Sequence, residues 1–265
     1  MCLLSFVIPA YNEAVRLSHT LTQVLTYLQL QDYRSEVIVV DDGSTDNTAQ
    51  IVEAIFATKS TSRVLTRLVS YAENQGKGYA VRQGMLAAVG EIAVFSDADL
   101  STPIAELPKL LAPILADEFD VVFGSRAVDR SLIGVHQPWL REQSGRFFNL
   151  VMQLVTGLPY VDTQCGFKAF RLAMCRPLIE GAVLNRFGFD VELLFLAHKA
   201  GLRLREQPVL WDDAAGSKVG IFSGVDGFRE LYLLRYHARK GHYDAVLNST
   251  RKALKQAKHD ATPSS

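Results

Sequence analysis

The sequence contains three cysteines in 265 residues: Cys2, Cys165 and Cys175. They are too few and too far apart for a disulfide framework or a zinc-ligand pattern, and such usage fits a reducing compartment. No stretch approaches the roughly 18 consecutive apolar residues of a membrane-spanning helix. Net charge is missing too, with 28 Lys and Arg balancing 28 Asp and Glu. That balance excludes a chain built chiefly to bind nucleic acid. The six histidines show no HExxH-like metal spacing, and His136, His198, His237 and His242 read as surface or packing residues. No internal repeat and no low-complexity linker divides the chain. The opening "MCLLSFVIPAYNEA" has no basic start, and its apolar run stops at Pro9 and Glu13. It therefore reads as a first strand rather than a signal peptide.

Apolar residues are present in quantity, at 48%. A chain of this length and composition can bury a sizeable core as one large α/β domain or two small ones. The first half alternates short apolar runs with helical patterns. Strands are predicted over Leu3–Ile8, Glu36–Val40, Leu68–Tyr71, Ile92–Phe95 and Asp120–Phe123. Helices are predicted over Glu13–Leu30, Thr45–Ala57, Gly78–Val89 and Ile104–Ala116. Apolar strands between helices imply a mostly parallel sheet covered on both faces. Ligands then bind beyond the carboxyl ends of the strands. The clusters "PAYNE", "VDDGSTDNT", "YAENQGKG", "SDADLS" and "GSR" fall at those ends.

The second half is less regular. Helices are predicted over Glu142–Val155, Phe189–Ala200 and Gly224–Lys240, with a short strand over Cys165–Phe170 and an edge strand over Arg203–Leu210. The segment after about Thr250 reads as a polar, frayed tail. Phe147, Phe148, Leu150, Val151 and Leu154 form a helical stripe that suits core packing or, in part, an apolar ligand. The basic amphipathic helix with Arg229, Arg235, Arg239 and Lys240 suits an anionic membrane surface. It equally suits docking on its own domain or on a second copy of the chain.

Three constellations carry chemistry. In "VIVVDDGSTDNT", Val37–Val40 reads as a central strand with Asp41 and Asp42 at its end. Ser44 to Asp46 cap the next helix, while capping does not require both aspartates. A carboxylate here can accept bonds from a base or ribose, but there is no GxGxxG, which argues against a dinucleotide. In "NQGKGYA", Lys77 stands between two glycines before a helix without Walker spacing. This is an exposed loop lysine or, beside the other acids, a nucleotide-phosphate contact. In "SDADLS", Asp97 and Asp99 flank Ala98. Like charges this close repel. A helix cap is one account of them, and a divalent cation is the other, since Mg²⁺ or Mn²⁺ takes one or two carboxylates together with phosphate oxygens.

Taken in order, "VIPAYNEA", "VIVVDDGSTDNT", "NQGKGYAVRQGM" and "DADLS" resemble glycosyltransferase family 2, with its GT-A nucleotide-sugar fold. The resemblance extends to about Gly241. "GSR" at Gly124–Arg126, "DTQCGFKAF" from Asp162, "RFGFDVELLFLA" from Arg186 and "WDDAAGSK" from Trp211 are most similar to the dolichyl-phosphate β-glucosyltransferase group of polyprenyl-phosphate enzymes. The eukaryotic members of that group carry an added N-terminal membrane helix that is not seen here.

The resemblance implies one domain over 1–241, with a nucleotide-sugar half at 1–127, an acceptor half at 128–241 and a polar tail at 242–265. It implies inverting, metal-dependent transfer of glucose from UDP-glucose to a polyprenyl phosphate, in the cytoplasm or on the cytoplasmic face of a membrane. Pro9, Tyr11, Glu13, Asp41, Asp42, Lys77, Asp97, Ala98 and Asp99 are the implied donor residues, with Asp99 and Asp97 on Mg²⁺ or Mn²⁺. Arg126, Arg141, Arg146, Lys168, Asp190 and Lys218 are the implied acceptor residues, and Asp162 is a candidate base. A phosphate monoester is largely a dianion at neutral pH, with a second pKa of about 6. It needs cations more than it needs a base, and guanidinium groups suit it. Asp190 and Glu192 also fit a helix start by charge alone, and "GSK" at Gly216–Lys218 reads as a closing loop. The alternatives are another donor such as GDP-mannose, a hydroxyl acceptor served by Asp162 or Asp190 as base, and a non-catalytic nucleotide-sugar-binding protein. A nucleotidyltransferase would want a basic glycine-rich loop near the N-terminus, which is absent.

Overall fold

A computed structural model describes residues 2–135, 139–212 and 222–260. The strands are β1 (Leu4–Ala10), β2 (Ser35–Asp42), β3 (Val64–Tyr71), β4 (Ile92–Ser96), β5 (Val121–Ser125), β6 (Ile133–Val135), β7 (Phe167–Arg171), β8 (Leu204–Pro208) and β9 (Trp211–Asp212). The helices are α1 (Ala14–Gln29), α2 (Thr48–Lys59), α3 (Lys77–Ala87), α4 (Leu107–Leu115), α5 (Trp139–Thr156), α6 (Leu172–Gly181), α7 (Phe189–Ala200), α8 (Phe222–Arg239) and α9 (Asp244–Asp260). A 3₁₀ turn at Ile104–Glu106 leads into α4.

Seven strands form one sheet in the order β3-β2-β1-β4-β7-β5-β8, and β6 pairs with β9 apart from it. The seven-stranded sheet is parallel except for β7, which is antiparallel to both β4 and β5. Every residue of β1, β2 and β4 is buried, as expected of strands covered on both faces. Alternate residues serve opposite cores. Leu4, Phe6 and Ile8 pack with α1 residues Leu17, Leu21 and Leu25 and with Leu107 and Leu110 of α4. Val7, Ile38 and Val40 pack with Val81 and Met85 of α3 and with α6 and α7.

Strand order reverses between β1 and β4, the place where such sheets open a crevice at their carboxyl ends. β7 fills the next slot in the opposite direction. Its register places Ser96 against Phe167, and the Asp97 N–H donates to the Gly166 carbonyl at 3.1 Å. The loop before β7 is thereby delivered to the rim where β4 and β5 end.

The predicted tail needs correction. Residues 244–260 form α9, which packs against α6 and α7, with Tyr243 and Thr250 each 1% exposed. Tyr243, Leu247, Thr250 and Leu254 recur at helical spacing, so a narrow apolar stripe docks an otherwise polar helix. The boundary at 241 disappears with it. The sequence reading also passed over α6, whose internal Pro177 interrupts the helical pattern. The edge strand β8 lies where it was expected.

Candidate active site

The loops after β1, β2 and β3 are sewn together by side chains. Asp42 is 3% exposed and receives four hydrogen bonds on its carboxylate. They come from the Tyr71 hydroxyl (2.7 Å), the Asn74 amide (2.8 Å) and the backbone N–H groups of Gln75 (2.8 Å) and Gly76 (3.0 Å). Asp42, expected as a nucleotide contact, holds the loop before α3 with its carboxylate. Gly43 closes the turn at φ +68°, where a Cβ would lie 2.6 Å from the backbone of Glu73 and Asn74. Asp41 keeps one oxygen for the Ser44 N–H at 3.1 Å, and its other oxygen has no protein partner among the described residues. Asn12 accepts from the Thr45 N–H at 2.8 Å, and its own N–H donates to the Ser44 hydroxyl at 2.9 Å. Asp46 caps α2 through the Thr48 N–H at 3.0 Å. Pro9 and Ala10 close the buried run of β1, Tyr11 is 41% exposed, and Glu13 pairs with Arg16 at 2.8 Å.

Asp97, Ala98 and Asp99 follow β4 into a tight turn in which Leu100 adopts φ +49°. The Thr20 hydroxyl holds the Ala98 carbonyl at 2.6 Å. Asp99 accepts the Ser101 N–H at 3.0 Å, and its second oxygen has no protein partner among the described residues. Lys77, the first residue of α3, brings its ammonium 2.6 Å from Asp97. Burial alone would lower the Lys77 pKa, but the charges of Asp97, Asp190 and Asp99 raise it above its ordinary value. Gly166 backs Asp97 so closely that a Cβ there would fall 2.2 Å from the carboxylate. Among the described residues no group of three or more His, Cys, Asp or Glu could enclose a metal. Two hard carboxylates in one turn, one of them with an open oxygen, fit Mg²⁺ or Mn²⁺ shared with a diphosphate better than a closed protein cage.

Arg126 follows β5 and forks onto Asp162, with Nε 2.7 Å from Oδ2 and Nη2 2.8 Å from Oδ1. Its backbone N–H adds a third bond at 3.0 Å, and its guanidinium lies 5.4 Å from the Trp211 ring centroid. Burial would raise the Asp162 carboxyl, but the Arg126 charge and hydrogen bonds hold it at about 2. A carboxylate in that state is a poor proton acceptor, which speaks against Asp162 as a base. Glu206 on β8 supports the pair by accepting the Asp162 N–H (2.7 Å), the Ser125 hydroxyl (2.8 Å) and the Val161 N–H (3.0 Å). Sequence reasoning missed Glu206, Trp211 and Gly166. Only the glycine carried a signal, as an abrupt small residue inside "QCGFK".

Two further expectations change. Lys168 is 0% exposed and its ammonium lies 2.6 Å from Asp190, itself 4% exposed. Neither presents a surface to an acceptor; they form an ion pair beneath the rim. Burial raises the Asp190 pKa, against the pull of Lys168 and Lys77. Glu192 accepts the N–H groups of Val183 and Leu184, each at 2.9 Å, and the Tyr243 hydroxyl at 2.6 Å. Arg141 and Arg146 lie on α5, with side chains outside the described residues, as are those of Phe147 and Phe148. Lys218 and the "GSK" loop, together with His136, also lie outside them.

A family model for glycosyl transferase family 2 matches residues 5–178. The dolichyl-phosphate beta-glucosyltransferase of Drosophila melanogaster is 35% identical over 243 residues, covering 87% of this chain and 74% of that protein. The Dictyostelium discoideum protein of the same name is 33% identical over 244 residues, covering 88% and 74%. The crystal structure of glucosyl-3-phosphoglycerate synthase from Mycobacterium tuberculosis with Mn²⁺, UDP and glucosyl-3-phosphoglycerate superposes with a TM-score of 0.66 at 20% identity, over 91% of this chain and 80% of that one. The fold is therefore the GT-A arrangement expected from the motifs. With the family matched across most of its length, the chain belongs to glycosyltransferase family 2 and is a glycosyltransferase.

Proposed function

We propose that the chain transfers glucose from UDP-glucose to a polyprenyl phosphate with inversion. The observation that carries this reading is the Arg126–Asp162 fork beside Asp97 and Asp99: a fixed cation where an anionic acceptor would arrive, with the Asp162 carboxylate already committed to it. The names of the relatives support the sugar and the lipid.

In this reading Asp41 and the rim at Pro9 and Tyr11 hold the uridine, while Lys77 and the Asp97–Asp99 turn hold the diphosphate. A divalent cation held by Asp99, with Asp97, would neutralise charge on the departing diphosphate. Arg126 presents its second terminal nitrogen, which has no protein partner among the described residues, to the acceptor phosphate. An acceptor phosphate oxygen bonds to the anomeric carbon as the bond from that carbon to UDP breaks, and the electron pair leaves with UDP. No proton needs to move, because the acceptor is already a dianion. A hydroxyl acceptor would require a base, and Asp162 and Asp190 are both committed to cations.

The lipid has a place to lie. α5 and α8 enclose an apolar groove of about 450 Å³ lined by Val151, Leu154, Leu231, Tyr232 and Arg235. Leu154 is 78% and Tyr232 69% exposed, and exposed apolar patches of this kind mark binding surfaces. We assign membrane contact to this exposed apolar face, on the cytoplasmic side of the membrane; among the described residues no helix is long and apolar enough to cross one. In this reading residues 1–127 serve the nucleotide sugar and residues from 128 onward serve the acceptor.

The test is a donor panel with Mg²⁺ or Mn²⁺, with and without a short polyprenyl phosphate, followed by extraction into organic solvent. Label entering the lipid phase from UDP-glucose is the expected result. Label entering only from GDP-mannose or another donor replaces the sugar. Donor binding without a lipid product rejects the polyprenyl phosphate as acceptor.

A further inference from the structure

Lys168 has no exposed surface. It sits on β7 between β4 and β5, opposite Phe95 and Phe123, with its ammonium 5.2 Å from the Phe95 ring centroid. A buried ammonium is unfavourable unless paired and hydrogen-bonded. Here it donates to Asp190 and to the Cys165 carbonyl. Lys168 and Asp190 are 0% and 4% exposed, so the pair lies beneath the rim rather than on it.

The arrangement around it alternates in sign. Asp97 pairs with Lys77, and Lys168 pairs with Asp190. Asp190 acts on Lys77 as well as on Lys168. Lys77 also lies 6.0 Å from the ring centroid of Phe189, the neighbour of Asp190 on α7. Lys77 therefore has three carboxylates within its field, Asp97 and Asp99 at the rim and Asp190 below it, and the lower one is already occupied by Lys168.

We propose that Lys168 and Asp190 are positioning residues of the donor site, acting through Lys77: by neutralising Asp190, Lys168 leaves the Lys77 ammonium to Asp97. Remove the Lys168 charge and Asp190 becomes an unpaired buried carboxylate whose nearest remaining cation is Lys77. Lys77 turns down to it, Asp97 loses its partner, and the repulsion between Asp97 and Asp99 disorders the turn. Remove both buried charges and the competition ends, so Lys77 returns to Asp97. The inference rests on the donor-site reading above, but not on the sugar or the acceptor.

Calorimetric titration of UDP with Mn²⁺ tests it, alongside thermal unfolding of each variant. Lys168→Met is expected to weaken UDP binding tenfold or more. The double variant Lys168→Met/Asp190→Asn is expected to bind within about threefold of the unaltered protein. Should Lys168→Met fail to fold, the double variant carries the test alone, because it leaves no unpaired charge. A folded double variant that has lost UDP binding overturns the proposal, since one of the two residues then serves the ligand directly. So does a Lys168→Met protein with a lowered melting temperature and unchanged affinity, which reduces the pair to stability. If the unaltered protein binds neither UDP nor GDP with Mn²⁺, the donor-site reading itself falls and takes the proposal with it.

Discussion

Arg126 grips both oxygens of Asp162, at 2.7 and 2.8 Å, and its backbone N–H adds a bond to the same carboxylate. Bidentate pairs of this kind are geometrically demanding and strong. Because the folded-state pKa lies below the ordinary value of 3.8, at about 2, the stabilisation is complete at neutral pH. It declines as the pH falls below about 4 and is lost below about 2. Linkage puts it at roughly 2 kcal/mol. Urea unfolding between pH 6 and pH 2 should therefore show a steeper acid-side loss for the unaltered protein than for Asp162→Asn. Parallel curves would remove the pair from the stability account.

The same pair predicts the pH dependence of turnover. With Asp162 ionised throughout and the acceptor its own nucleophile, kcat/KM for the acceptor should fall only on the acid side. Its inflection should lie near the second phosphate pKa of about 6. Asp162→Asn should lower the rate without moving that inflection. An inflection that disappears in the variant would restore Asp162 as a base.

Asp99 has one oxygen on the Ser101 N–H and one without a protein partner. Asp99→Ala should lower turnover by on the order of a hundredfold or more at saturating Mg²⁺. Its stability should change by about 0.5 kcal/mol or less, as for a partly exposed side chain. Near-normal turnover would move the metal assignment elsewhere.

Gly166→Ala asks whether the backing of Asp97 matters. A methyl 2.2 Å from the carboxylate must displace either Asp97 or β7. Overpacking of this kind costs about 1–3 kcal/mol, and donor binding should weaken with it. An alanine variant with unchanged UDP affinity would show that Asp97 can move freely.

The strand ends were legible because each buried strand stops at a cluster of polar residues, as "VIVV" stops at Asp41 and "IAVF" before Asp97. Chemistry and topology coincide there. Lys168 was misread because charge in a sequence suggests solvent. In "GFKAF", however, Phe167, Lys168, Ala169 and Phe170 belong to a strand buried on both faces, which leaves no wet side for the lysine. The place of β7 could not be read at all, since its partners Ile92–Ser96 lie some seventy residues earlier in the chain. The grip on Asp42 was not legible because its partners Tyr71, Asn74, Gln75 and Gly76 come from the end of β3 and the loop after it. α9 was lost in its polar composition, although the spacing of Tyr243, Leu247, Thr250 and Leu254 carried it.

The apolar groove between α5 and α8 can be tested without touching the rim. Leu154 is 78% exposed, so Leu154→Glu should leave folding nearly unchanged. It places a charge where the proposed lipid lies, and burying that charge against a hydrocarbon is unfavourable. The KM for a long polyprenyl phosphate should rise about tenfold, which corresponds to about 1.4 kcal/mol of lost binding, while kcat stays close to its original value. A short-chain acceptor phosphate that does not reach the groove should be used as well as before. The comparison of chain lengths gives the test its force: a change at the reacting centre would affect both acceptors alike. An equal loss for the two would assign Leu154 to the architecture of the site and leave the lipid to another surface.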